Sequence, residues 1–169
     1  MERGDRCYYD TGISYSHGEL VKEWLPKAIW EWVPNFLVAK KTYPQVLIED
    51  PFIRSVMDKF PGTYLNFYKV PGNSTYNWHR DSKCKVCINL VLDVYDSVTL
   101  FSHTMPYWPL TEIDYVWPLK YKPNNWYIFD TQERHMVVNY ADTDRVLMTV
   151  RIPPPIQYKE VLEWYKTQM

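Results

Sequence analysis

The sequence predicts a mainly β protein, an antiparallel sandwich or barrel with helices packed outside it. Three observations predict this. Short β-branched or aromatic segments recur between residues 62 and 152, clusters of turn residues bound them, and apolar residues at helical spacing are confined to the flanks. One domain spanning residues 1–169 suffices, because 46% hydrophobic and 17% aromatic content supplies a single core, and no repeat, low-complexity tract or interdomain linker divides it.

Ser16 followed by Glu19 matches a capping box ahead of ELVKEWLPKAIWEWVPNFLVAKK. There Leu20, Trp24, Leu25, Ile29 and Trp32 keep helical spacing while Pro26 and Pro34 interrupt it, so two short helices with kinks or breaks at the prolines are expected. Residues 48–60, IEDPFIRSVMDKF, predict a further short helix and complete a helical N-terminal support over about 16–60. The period then shortens to two. TYLNFYKV, KVCINLVLDV, SVTLFS, NWYIFD, HMVVNY and RVLMTVRI predict strands of a barrel core over about 62–152, with turns such as Pro71-Gly72-Asn73 and Pro123-Asn124-Asn125. Residues 102–124 form a proline- and aromatic-rich excursion, read as a lid, a substrate wall or a segment packed on the sheet. YKEVLEWYKTQM predicts a last helix, set off by Pro153-Pro154-Pro155.

Nineteen Lys and Arg against twenty Asp and Glu leave a formal net charge of -1, so no long-range attraction for a polyanion is expected and nucleic acid is not a favoured partner. A local basic patch of Lys83, Lys85, Lys120 and Lys122 remains. No apolar run approaches the ~20 residues that span a bilayer, and MERGDRCYYD lacks the apolar stretch of a secretory signal. The expectation is a soluble, cytoplasmic protein with no membrane partner. Three cysteines, Cys7, Cys84 and Cys87, suit a reducing compartment; Cys84 and Cys87 make one CxxC without the second pair that a structural zinc needs, and read as buried or half-buried strand cysteines.

The polar residues carry the chemistry. His79 and Asp81 sit two apart in a strand-like segment, which turns both side chains to one face, and a buried carboxylate there must be paired or metal-bound. His135, on another extended segment, is the best third ligand, and two imidazoles with one carboxylate form the facial set of a non-haem Fe(II) site. The alternative is a salt-bridged His-Asp pair with His135 an ordinary strand-end residue. His17 and His103 are weaker candidates. The string His79-Arg80-Asp81 also occurs in kinase catalytic loops, but Val86 stands where such a loop has Asn, and the glycine-rich phosphate loop and D-F-G segment are missing.

Arg145 begins an alternation in which Arg145, Leu147, Thr149 and Arg151 share one face, opposite Val146, Met148, Val150 and Ile152. If the polar set faces the pocket, Arg145 suits the far carboxylate of an iron-chelating 2-oxoglutarate, since its fork matches a carboxylate bidentately. Arg151 offers a second contact or a surface ion pair. Tyr68, Asn66 and Asn89 offer hydrogen bonds to the co-substrate or a metal ligand, against a structural role for each. Tyr76, Trp78 and Trp126 fall near the expected mouth and would wall a substrate or pack the core.

Together these residues resemble the Fe(II)/2-oxoglutarate-dependent dioxygenase superfamily. FYKVPGNSTYNWHRDS is similar to the strand, turn and His-x-Asp of its prolyl hydroxylase branch, and YIFDTQERHMVVNYADTDRVLMTV to the distal histidine and arginine segment of aspartyl/asparaginyl β-hydroxylases. Asp81 stands where animal β-hydroxylases of the aspartyl type have Gly, and Asn125-Trp126 where prolyl hydroxylases usually have Gly-Asp. The resemblance covers about residues 62–152. It implies a double-stranded β-helix, a jelly-roll or cupin-like barrel with flanking N-terminal and C-terminal helices. It also implies His79, Asp81 and His135 as iron ligands, and Arg145 as the co-substrate anchor. The activity implied is hydroxylation of an amino-acid side chain, in a peptide or protein or as a free amino acid, using Fe(II), 2-oxoglutarate and O2 and releasing succinate and CO2. Two alternatives stand beside it. One is an oxygenase of a nucleobase, nucleotide or other small molecule, since Arg145 and Arg151 have the separation seen in nucleic-acid demethylases of the superfamily. The other is a non-catalytic cupin-like binding protein.

Overall fold

The computed structural model describes residues 7–34, 36–39, 43–92, 96–102 and 116–169. In chain order the elements are β1 (Tyr8–Ser14), α1 (Gly18–Trp24), β2 (Trp30–Val33), β3 (Phe36–Ala39), α2 (Pro51–Lys59), β4 (Tyr64–Val70), β5 (Ser74–His79), β6 (Val86–Val91), β7 (Ser97–Ser102), β8 (Val116–Leu119), β9 (Asn125–Asp130), β10 (Arg134–Asn139), β11 (Arg145–Ile152) and α3 (Tyr158–Gln168). Two antiparallel sheets result, a major one in the order β1-β9-β6-β11-β4-β3-β2 and a minor one in the order β5-β10-β7-β8. The expected strands of the barrel core all form. Among the described residues no helix is long and apolar enough to cross a membrane.

The two-residue period explains how one sheet serves two purposes. On β11, Val146 points away from the cleft while Met148, Val150 and Ile152 join Leu65, Phe67, Ile88, Leu90, Trp126 and Ile128 in a core covered by Val21 and Trp24 of α1, Ile53 and Val56 of α2, and Val161, Leu162 and Tyr165 of α3. The alternate residues face the minor sheet. A smaller cluster of Cys7, Phe101, Leu119, Tyr127 and Phe129 bonds the two sheets at one end. Trp126 therefore belongs to the core, fully buried, and not to a substrate wall.

The support over residues 16–60 departs from expectation in three ways. Its middle, where a second short helix was expected, is a hairpin. Pro26 ends α1 in a 3-10 turn at Leu25–Lys27, Pro34 lies in the connection, and the β-forming Trp30 to Val33 pair with Phe36 to Ala39 and so extend the major sheet through β3 and β4. Ser16 does not cap α1. Its hydroxyl donates instead to Asp50 Oδ2 at 2.7 Å, and Asp50 is itself the cap of α2, accepting from the Phe52 and Ile53 amides. A strand, β1, precedes the helices and pairs with β9; the Tyr165 hydroxyl of α3 donates to its Thr11 carbonyl. Of the 102–124 excursion, β8 is an edge strand paired with β7, and residues 103–115, His103 included, lie outside the described residues.

The turn between β4 and β5 is clamped to the turn between β10 and β11. Asn139 Nδ2 donates to the carbonyls of Val70, Pro71 and Thr143, and a Cβ on Gly72 would lie 2.4 Å from the Asp142 carbonyl oxygen. Only glycine fits so close to a neighbouring backbone.

Candidate metal and co-substrate site

Antiparallel pairing of β5 with β10 sets His79 directly opposite His135, their ring centres 4.1 Å apart and their planes inclined at 62°. His79 ends its strand, and Asp81 follows in the loop, where its amide donates to the Thr131 carbonyl and its carbonyl accepts from Gln132 Nε2. The loop thereby returns the carboxylate to the histidines: Asp81 Oδ1 lies 3.7 Å from His79 Nε2, and one ligand atom from each of His79, Asp81 and His135 lies within 4.8 Å of the others. An ion between them would replace that loose His-Asp contact with three short bonds.

Both imidazoles are oriented for such an ion. His79 Nδ1 faces the Asn77 carbonyl at 2.6 Å and His135 Nδ1 the Glu133 carbonyl at 2.9 Å. A carbonyl accepts only, so each Nδ1 carries the proton and each Nε2 keeps its lone pair for a metal. Burial lowers the pKa of His79, and lowers that of His135 to about 4 with His79 adding to the effect. Two neutral imidazoles are the ligand-competent forms near neutral pH.

The same cleft, of about 100 Å³, is lined by His79, Asp81, His135, Tyr68, Asn89, Thr99, Tyr121, Arg145, Thr149 and Arg151. All four polar-face positions of β11, Leu147 among them, open onto it. Arg145 is 1% exposed. Its Nη2 donates to Thr99 Oγ1 at 3.0 Å, its guanidinium sits 5.1 Å over the Tyr121 ring, and its Nη1 has no partner among the described residues. Burial lowers its pKa against the pull of Tyr121, whose own hydroxyl burial pushes up to about 12. Among the described residues no carboxylate pairs with Arg145. A guanidinium stays protonated when buried, so the cation is left waiting for an anion.

Arg151 is differently placed. Its Nη1 donates to the Tyr68 hydroxyl at 2.6 Å, its Nη2 to Cys84 Sγ at 3.0 Å, and Asp81 Oδ2 lies 3.6 Å away. It is no surface ion pair. Asn66 stands behind Tyr68, donating to its hydroxyl, and does not line the cleft. Asn89 accepts from Thr149 Oγ1. Thr99, Tyr121 and Phe36 are cleft residues that sequence reasoning missed. The polar Thr99 between Val98 and the apolar Leu100-Phe101 was a legible signal; Tyr121 lay in the unassigned excursion and Phe36 in a stretch read as helix.

No family model matches the sequence, and no curated protein matches it. In fold the chain is similar to an oxidoreductase of the 2OG-Fe(II) oxygenase family from Burkholderia pseudomallei, with TM-score 0.59 and 12% identity over 82% of this chain and 78% of that one. HygX from Streptomyces hygroscopicus, solved with nickel, 2-oxoglutarate and hygromycin B bound, is similar at TM-score 0.59 and 10% identity over 89% of this chain and 84% of its own. A prolyl-4-hydroxylase from Pseudomonas putida gives TM-score 0.57 and 10% identity, covering 86% of this chain and 90% of that one. The likeness is one of fold. The chain has the jelly-roll fold of 2-oxoglutarate-Fe(II) oxygenases.

Proposed function

We propose that this chain is an Fe(II)- and 2-oxoglutarate-dependent dioxygenase that hydroxylates an amino-acid side chain, in a peptide or protein or as a free amino acid, with succinate and CO2 as co-products. One observation carries the reading: a single cleft holds both a two-histidine, one-carboxylate set and a buried guanidinium with a donor left unfilled among the described residues. The first is a donor set for a divalent iron, and the second a socket for the remote carboxylate of a dicarboxylic acid. When bound, Fe(II) supplies the one-electron chemistry with O2 that no side chain here can perform.

The chain's own residues bind, orient and exclude. His79, Asp81 and His135 would hold the ion, and the carbonyls of Asn77 and Glu133 keep both Nε2 atoms unprotonated. Arg145 orients the co-substrate through its carboxylate, with Thr99 fixing the guanidinium. Phe36, Tyr68 and Tyr76 form an aromatic wall, Tyr76 stacking at 3.8 Å on His79 and Phe36 touching both tyrosines at 4.9 and 5.3 Å. That wall supports an aliphatic C–H of a side chain as the group presented to the metal, because its rings displace water while the Tyr68 hydroxyl is already engaged by Arg151 and Asn66.

The test is anaerobic titration of metal-free protein with Fe(II) and 2-oxoglutarate, following the weak visible charge-transfer band of the chelate. The band should vanish in His135→Ala and need more 2-oxoglutarate in Arg145→Ala. A folded protein that gives no band would return the chain to a non-catalytic barrel.

A further inference from the structure

Cys84 and Cys87 are buried, free and outside the proposed chemistry, yet they adjoin its centre. Their sulfurs are 2.9 Å apart. Cys84 Sγ accepts from Arg151 Nη2 at 3.0 Å and donates to Asp81 Oδ2 at 3.4 Å. Cys87 lies opposite Arg151 in the β6–β11 pairing and lines the cleft. The loop carrying Asp81 also carries Cys84, and Thr131 and Gln132 pin both through backbone hydrogen bonds. Asp81, Cys84 and Cys87 also group as possible cation ligands, but the Arg151 guanidinium beside Cys84 opposes a second cation there. Two thiol sulfurs already in contact and beside the cleft point instead to sulfur oxidation.

We infer that Cys84 and Cys87 are a redox-active dithiol whose disulfide weakens metal binding by Asp81. The coupling to metal rests on the functional reading above; formation of the disulfide does not. The oxidant is a peroxide small enough to enter the cleft. One thiolate attacks the peroxide, the O–O bond breaks, and a sulfenic acid and water form after proton uptake. The second sulfur then displaces the sulfenic oxygen as a second water. In sum two thiols and H2O2 give one disulfide and two waters, two electrons passing from sulfur to oxygen. Whichever sulfur reacts first, its partner is already in contact, and closure to the roughly 2.05 Å of an S–S bond needs less than about 1 Å of approach. The disulfide removes the thiol that donates to Asp81 and the strong acceptor of Arg151. Arg151 is left with Asp81 as its nearest anion and competes with the metal for that carboxylate.

The experiment uses the full chain, metal-free and reduced, treated with one equivalent of hydrogen peroxide. Intact mass should fall by two hydrogens, thiol titration should pass from three to one, and dithiothreitol should reverse both. Cys84→Ser and Cys87→Ser should each gain oxygen instead. Mn(II) binding followed by electron paramagnetic resonance should be about 10-fold or more weaker for the disulfide form than for the reduced form, the scale seen when a ligand's supporting contact is lost. Three surviving thiols, or stable oxygen addition to the wild-type protein without a disulfide, would overturn the dithiol. A disulfide that leaves Mn(II) affinity unchanged would overturn the coupling. Failure of the reduced protein to bind Mn(II) would remove the metal reading and the coupling together, while the mass measurement would still decide the disulfide.

Discussion

Arg145 and Arg151 lie on one face of one strand and open into one cleft, but their surroundings are opposite. Arg151 has both terminal nitrogens engaged and a carboxylate at 3.6 Å, and among the described residues only its Nε lacks a partner. Arg145 has one hydroxyl, one aromatic face and no counter-ion among the described residues. The first is a finished joint that steadies Asp81, and the second is an open socket. A buried cation is informative in proportion to the partners it lacks, and composition alone could not have ranked the two.

The largest effect expected from this contrast is on co-substrate binding. In Arg145→Met, 2-oxoglutarate affinity measured by calorimetry on Mn(II)-loaded protein should fall by about 100-fold or more, the consequence of losing a buried charge-assisted pair. Thermal unfolding of the same variant without ligands should be unchanged or later, because a buried cation without an anion has been removed. A clearly earlier transition would mean that Arg145 is a structural joint too. Arg151→Met should behave in reverse. Urea unfolding should show a loss of about 1–3 kcal/mol, since Asp81 and the Tyr68 hydroxyl each lose one of their partners, with a smaller change in 2-oxoglutarate affinity than in Arg145→Met. An equal or greater loss of affinity would move the anchor to Arg151.

The histidines offer a third handle. His135 has a folded-state pKa of about 4, below the value near 6.5 of an exposed histidine, so the unfolded chain binds more protons between those values. Stability of the metal-free protein should therefore fall as pH drops from about 6.5 towards 4, and His135→Gln should flatten that slope. The smallest effect serves as a control. Asp50→Ala, far from the cleft in function, should cost about 1–2 kcal/mol through the lost α2 cap and leave Mn(II) and 2-oxoglutarate affinities alone.

Much of this was legible in residue order. The period-two segments located the core strands, and the alternation on β11 separated the cleft face from the helix face before any coordinates. Short spacing brought out His79 and Asp81, although the reason they meet is a looped return and not a shared strand face. What escaped was decided by pairing. Trp32 falls in the helical apolar spacing of Leu20, Trp24, Leu25 and Ile29, but Trp30 to Val33 become a strand because β3 offers them a sheet edge, and Ser16 prefers the Asp50 carboxylate to a local cap because that carboxylate is buried and needs donors. Tyr121 reaches Arg145 from a segment whose sequence shows neither period.

The hydrogen bond from Tyr165 to Thr11 joins residues 154 positions apart. In a chain made from its N-terminus, β1 emerges before the other described elements but acquires this clasp only after all of them have been translated. Until then the Thr11 carbonyl on the edge strand of the major sheet waits without this donor, on a margin where a neighbouring nascent chain can add a strand. Removing α3 should thus surface as aggregation during expression before it surfaces as lost activity, even though no residue of that helix lines the cleft.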